Sequence, residues 1–146
     1  AIEIRYYNII SDLVDAVKRI RALESFKQHP ACESLVTAFK RVSNILKGFS
    51  QNTAAGPDTS LFSDPQEGEL YEAGLSIAPV IDAHWKAGEY EKAFEALASI
   101  REQIDAFFDK VLVMAKDEAV KNNRLALLST VRDLYFRMAD LSKLAV

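Results

Sequence analysis

The stretch "FKRVSNILKG", Phe39–Gly48, carries Lys40, Arg41 and Lys47 around the amide of Asn44. At 100° per residue these four side chains fall on one arc of a helix. Leu35, Phe39, Val42, Ile45, Leu46 and Phe49 fall on the opposite arc. Cations at that spacing can neutralise phosphates, and an amide can both donate and accept at a base edge. The plainer reading is that a water-facing helix surface is usually charged. The rest of the chain has to choose between the two.

Other chemistry is thinly supplied. His29 and His84 are far apart, each near a helix end, where capping or surface roles are the ordinary use of histidine. Cys32 is the one cysteine, so it forms no internal disulfide and builds no zinc site with two distant histidines. Its simplest role is that of a small residue early in a helix rather than a nucleophile. There is no Gly-rich phosphate loop and no strand-turn-helix serine elbow. Glu67, Glu69, Glu72, Glu89, Glu91 and Glu95 recur at helical spacing and read as a solvated face. No catalytic site and no metal site assemble from these residues, so a binding domain is expected.

The elements that must position the basic face are helices. The 146 residues suit a single domain with a sizeable core. Apolar residues make up 49% and charged residues 27%, the balance of a soluble protein. No apolar run approaches the ~20 residues of a membrane helix. No signal peptide opens the sequence, and a lone cysteine suits a reduced, cytoplasmic setting. Ala1 in place of an initiator Met suggests a piece of a longer protein. The net charge of −3 conceals a division: residues 1–50 hold eight basic and five acidic residues, 51–118 five and fourteen, and 119–146 five and two. The two ends can therefore join into one basic surface on an acidic protein.

Periodicity predicts a first helix over Ser11–Phe26, with Leu13, Val14, Val17, Ile20 and Leu23 on its apolar side. Pro30 breaks the chain and suits the first turn of a second helix, Ala31–Lys47. The run 50–63, "SQNTAAGPDTSLFS", reads as a flexible linker. "DPQE", Asp64–Glu67, is a helix start with Glu67 reaching back. The third helix places Leu70, Gly74, Ile77, Ile81 and Trp85 inward, is expected to kink at Pro79 and ends at Gly88. A fourth is expected from Glu89 to Val113, and a last one to Leu144 with Leu127, Leu128, Val131, Leu134, Tyr135, Met138 and Leu141 inward. The expectation is an all-α antiparallel bundle of about five helices.

Three stretches carry a resemblance: "KRVSNIL" at Lys40–Leu46, "AFFDKVLVMAKDEAVKNNRLALL" at Ala106–Leu128, and "RMADLSKL" at Arg137–Leu144. Together they resemble the C-terminal anticodon-binding region of the bacterial glycyl-tRNA synthetase beta subunit. "ALESF" and "GEYEKAFEALASIREQIDAFFD" resemble it in order and spacing, so the likeness covers nearly everything after Asp12. It implies the all-helical anticodon-binding fold shared with arginyl-tRNA synthetases. It also implies a parent enzyme that attaches glycine to its tRNA using ATP and Mg²⁺, with the active site in the alpha subunit and no cofactor in this piece. The partners implied are a glycine-accepting tRNA and that alpha subunit. Lys40, Arg41, Asn44 and Lys47 then become candidate tRNA contacts. Phe107, Phe108, Asp109, Asn122, Asn123 and Arg124, in the most family-like block, join them.

Arg124 projects from the middle of an apolar arc, so it needs a carboxylate, for which Asp109 is the candidate, or else it reaches out to water. Asn122 and Asn123 also suit helix caps. Two rival readings remain: a tetratricopeptide-like peptide binder, from "AGEYEKAFEALASI", and a helical module that only docks another subunit. The first lacks a second copy at the ~34-residue period.

Overall fold

The computed structural model describes residues 2–49 and 55–137. Six α-helices follow one another: α1 Ile2–Lys27, α2 Pro30–Ile45, α3 Pro65–Lys86, α4 Tyr90–Ala98, α5 Arg101–Lys110 and α6 Glu118–Phe136. A single 3₁₀ turn, Thr59–Leu61, precedes α3, and no strand occurs among the described residues. The fold is all-α, as the periodicity predicts.

Helix starts follow local chemistry. His29 caps α2, its Nδ1 accepting from the Ala31 amide at 3.1 Å, and Pro30 occupies the first turn. Asp117 caps α6 by accepting from the amides of Ala119 and Val120. Asn122 and Asn123 therefore lie inside α6, not at its cap. α3 ends where Gly88 takes φ 74°. The Gly88 amide donates to Trp85 O, and the Glu89 amide donates to His84 O at 2.8 Å. This paired closure needs a left-handed residue, which glycine adopts without steric cost. It folds α4 back on α3, which passes through Pro79 without interruption.

The expected fourth helix is two. Ser99 Oγ donates to Ala96 O at 2.6 Å, and the Ser99 and Ile100 amides make tight bonds three residues back. Helical bonding restarts from Ile100 O to the Ile104 amide. Ile100 stays in the core throughout, so the apolar phase continues across the break and hides it in the sequence.

The core gathers Leu35, Ala38, Phe39 and Val42 of α2 with Leu97, Ile104, Phe107, Leu127, Leu128 and Val131. The inward side of α2 agrees with its periodicity. The apolar side of α1 mostly does not turn inward: Leu13, Val14, Val17 and Ile20 are exposed, Leu23 packs half-buried against the core, and Ala22 and Phe26 are the buried residues. α1 instead meets the α3–α4 joint with polar groups. The Arg19 guanidinium lies 5.1 Å from the Trp85 ring centroid and 5.3 Å from that of Tyr90. Arg19 also pairs with Asp15 at 3.0 Å, and the Tyr90 hydroxyl donates to Asp15.

Of the expected linker, residues 50–54 lie outside the described residues, as do Met138 and Leu141. Residues 55–63 follow a tied path. Asn123 accepts from the Asp58 amide at 2.7 Å and donates to the Asp58 carbonyl at 2.9 Å, as a strand neighbour would. Pro57 is buried, and Phe62 packs edge-on against Tyr71. Asn123→Asp replaces the donor with an acceptor facing a carbonyl. It is expected to cost about 1–3 kcal/mol in urea unfolding and to speed protease cleavage within 55–63.

Candidate nucleic-acid interface

α2 presents Lys40, Arg41 and Asn44 to solvent, and Lys47, expected on the same helix, follows in the turn after Ile45; all four are exposed. The 100° advance that puts Leu35, Phe39 and Val42 into the core turns Lys40, Arg41 and Asn44 away from it. Among the described residues none of the four is tied up in an ion pair or a side-chain hydrogen bond. Arg41 does have a partner: its guanidinium lies 4.4 Å from the ring centroid of Phe108 on α5. The helix face and the aromatic are thereby joined into one surface. A guanidinium stacked on a ring keeps its edge N–H groups free for phosphate, which suits arginine and not lysine.

Phe107 and Phe108 are neighbours with opposite duties. Phe107 is fully buried and packs edge-on against Phe108, which is half-buried. Phe107 therefore builds the core, and only Phe108 has a face to offer. Asp109 is exposed and Asn122 half-buried. Asn123 is spent on Asp58, as described above.

Arg124 does not pair with Asp109. It is 6% exposed, and its Nε donates to Glu67 Oε1 at 3.0 Å. Its Nη2 donates to Asp64 Oδ2 at 3.0 Å and to Ser63 Oγ at 3.1 Å, and its Nη1 donates to the Leu112 carbonyl at 2.6 Å. Glu67 is correspondingly fully buried rather than part of a solvated face. Its second oxygen accepts from the amides of Ser63 and Asp64 at 2.9 and 3.0 Å, the reach-back expected at this helix start. Burial pushes the Glu67 carboxyl up, but the Arg124 hydrogen bond and the two amides outweigh it and hold it below the usual carboxylate range. One arginine thus ties α6, the start of α3 and the loop after α5. Every guanidinium nitrogen of Arg124 is engaged inside the protein.

The loop it holds was missed in the sequence. Val111 and Val113 are buried, while Leu112 and Met114 are 67% and 57% exposed. Residue 111 is extended, and Leu112 follows Phe108 by four residues, so their Cα atoms are at most about 15 Å apart. The signal was the continuous apolar run "VLVM", whose first three residues were absorbed into the end of an expected helix.

The other reactive side chains fall into structural roles. His84 Nδ1 meets Glu89 Oε1 at 3.3 Å at the α3 terminus. Cys32 is half-buried near the start of α2, and burial pushes its thiol up, away from thiolate reactivity. Among the described residues no group of three His, Cys, Asp or Glu could hold a metal ion, and no helix is long and apolar enough to cross a membrane.

Residues 35–138 match the DALR anticodon binding domain, a span that begins in α2 and takes in the whole Arg41–Phe108 surface. The chain belongs to that family. The tetratricopeptide-like reading of "AGEYEKAFEALASI" gives way to this membership. The DALR domain is also similar to the glycine–tRNA ligase beta subunit of Geobacter metallireducens, 44% identical over 135 residues. That match covers 92% of this chain and 19% of the relative. The corresponding subunits of Aliivibrio fischeri and Delftia acidovorans are 43% and 41% identical, over 89% and 91% of this chain. This DALR domain therefore spans about a fifth of the length of these curated relatives.

Proposed function

We propose that this DALR domain holds the anticodon region of a glycine-accepting tRNA as part of a glycine–tRNA ligase beta subunit. The observation that carries the reading is the exposed face of α2 stacked through Arg41 on Phe108, in a chain of an anticodon-binding family. An anticodon loop offers unstacked bases and closely spaced phosphates, which proteins engage with aromatic faces, amides and cations. Lys40 and Lys47 are assigned to phosphates and Asn44 to a base edge. Phe108 with Arg41 provides a stacking face, and Leu112 and Met114 provide apolar contact for a base. Asp109 and Asn122 border the same part of the chain. Phe107, Asn123 and Arg124 hold the surface from within.

Attachment of glycine, with its ATP and Mg²⁺, is assigned to the parent enzyme together with an alpha subunit, and the working compartment is the cytoplasm. The contribution of this domain is placement: binding energy gathered at the anticodon selects which tRNA is presented for charging.

Binding of fluorescent glycine tRNA and of an anticodon-swapped version, across salt concentrations, tests the reading. Lys40→Ala and Arg41→Ala are each expected to weaken affinity and to reduce the salt slope by about one. Asn44→Ala is expected to narrow the preference between the two tRNAs while leaving the slope unchanged. A surface used only to dock another subunit would release no counterions, and all three variants would then bind tRNA as the unaltered domain does.

A further inference from the structure

In α1, Tyr6, Ile10, Leu13, Val17 and Ile20 recur at spacings of four, three, four and three. This is the seam by which one helix packs along another at a shallow angle. All five are between 45% and 68% exposed. Tyr7, Ile9 and Val14 flank the seam and are exposed as well. Asp15, Arg19, Ala22 and Phe26 lie about half a turn away around the helix, and that side faces Tyr90, Trp85 and Phe94. α1 thus meets its own domain through a mixed side, Asp15 and Arg19 with Ala22 and Phe26, and turns its continuous apolar side outward. Soluble proteins seldom leave so continuous an apolar stripe uncovered.

We propose that this stripe seats α1 in an apolar, multi-helix groove of the remainder of the same longer polypeptide, which makes α1 the element joining this domain to the body of its subunit. The inference rests on reading the chain as one part of a beta subunit. Two observations choose this occupant over a second copy. The stripe widens well beyond the narrow seam of a two-stranded pair, so it needs walls on both sides, as a groove supplies. About four-fifths of the length of the relatives lies outside the span this chain covers, which is ample for such a body.

Hydrogen–deuterium exchange without tRNA tests it, so the outcome is independent of anticodon binding. The 146-residue chain and the long polypeptide that contains it are compared. Amides of residues 6–20 are expected to exchange at least about tenfold more slowly in the long polypeptide, while those of α6 exchange alike. Leu13→Glu with Val17→Glu in the long polypeptide should restore the faster exchange in 6–20 and leave α6 unchanged. Equal exchange of 6–20 in both proteins would overturn the proposal, as would protection that survives the double variant. Slow exchange already present in the short chain, with a dimer mass by light scattering, would give the stripe to a second copy instead.

Discussion

Arg124→Ala is expected to lower stability by about 3–5 kcal/mol, the cost of leaving one member of a buried ion pair without the other. Glu67 is the stranded member: it is fully buried and faces Arg124 at 3.0 Å. Glu67→Ala should cost about as much, and the double variant should recover part of the sum, because neither charge is then left unpaired. Asp64 gives the internal control. It also meets Arg124 at 3.0 Å but is 41% exposed, so Asp64→Asn, which keeps a capping side chain at the start of α3, should cost under about 1 kcal/mol. Urea unfolding of the four variants measures this. Small and additive effects would mean that water already screens the pair.

The same pair sets an acid limit. The Glu67 carboxyl is held below its ordinary value in the folded protein. Its contribution to stability is therefore fully present above about pH 4.3, the ordinary value for glutamate. It is lost as pH falls through the lower, folded value, because the unfolded chain then binds the proton more readily. Glu67→Gln removes this titration. Unfolding free energies measured from pH 6 downward should fall less steeply for the variant than for the unaltered domain in the acid range. Parallel curves would assign the acid sensitivity to other carboxylates.

These residues also mark what periodicity can and cannot reveal. α2 was legible on both faces because its core and solvent sides obey one 3.6-residue repeat and depend on no distant partner. α1 was legible as an amphipathic helix, yet Leu13, Val14, Val17 and Ile20 of its apolar side are exposed within this domain. A repeat says that a stripe will be covered and is silent on what covers it. The break at Ser99 escaped because Ile100 remains in phase with the core on either side. The partner of Arg124 escaped for another reason. Its phase demanded a carboxylate, but Asp109 was chosen from nearby in the chain, whereas Glu67 lies 57 residues away and already had a local task at the start of α3. The candidate surface was half visible: its cations came from spacing, and the stacking of Arg41 on Phe108 came only with the fold.

Phe107 and Phe108 should separate folding from binding. Phe107→Ala removes a fully buried ring and is expected to cost about 3–5 kcal/mol, the usual range for emptying a core aromatic. Phe108→Ala removes a half-buried ring whose partner, Arg41, is exposed. The stacking lost there is worth about 0.5–1 kcal/mol, so its stability cost should be much the smaller. Binding should show the reverse order. A base stacked on the Phe108 face contributes about 1–3 kcal/mol, which predicts a roughly 5- to 150-fold loss of tRNA affinity in Phe108→Ala. Phe107→Ala, assayed at a temperature where it remains folded, should bind far more nearly as the unaltered domain does. Arg41→Ala combined with Phe108→Ala should lose less affinity than the sum of the two, since the guanidinium and the ring act as one platform. Unaltered affinity in Phe108→Ala would remove the aromatic from the contact surface and leave the cations of α2 to act on phosphates alone. Equal affinity losses in Phe107→Ala and Phe108→Ala would mean that the surface depends on the packing of α5 as a whole and not on one exposed face.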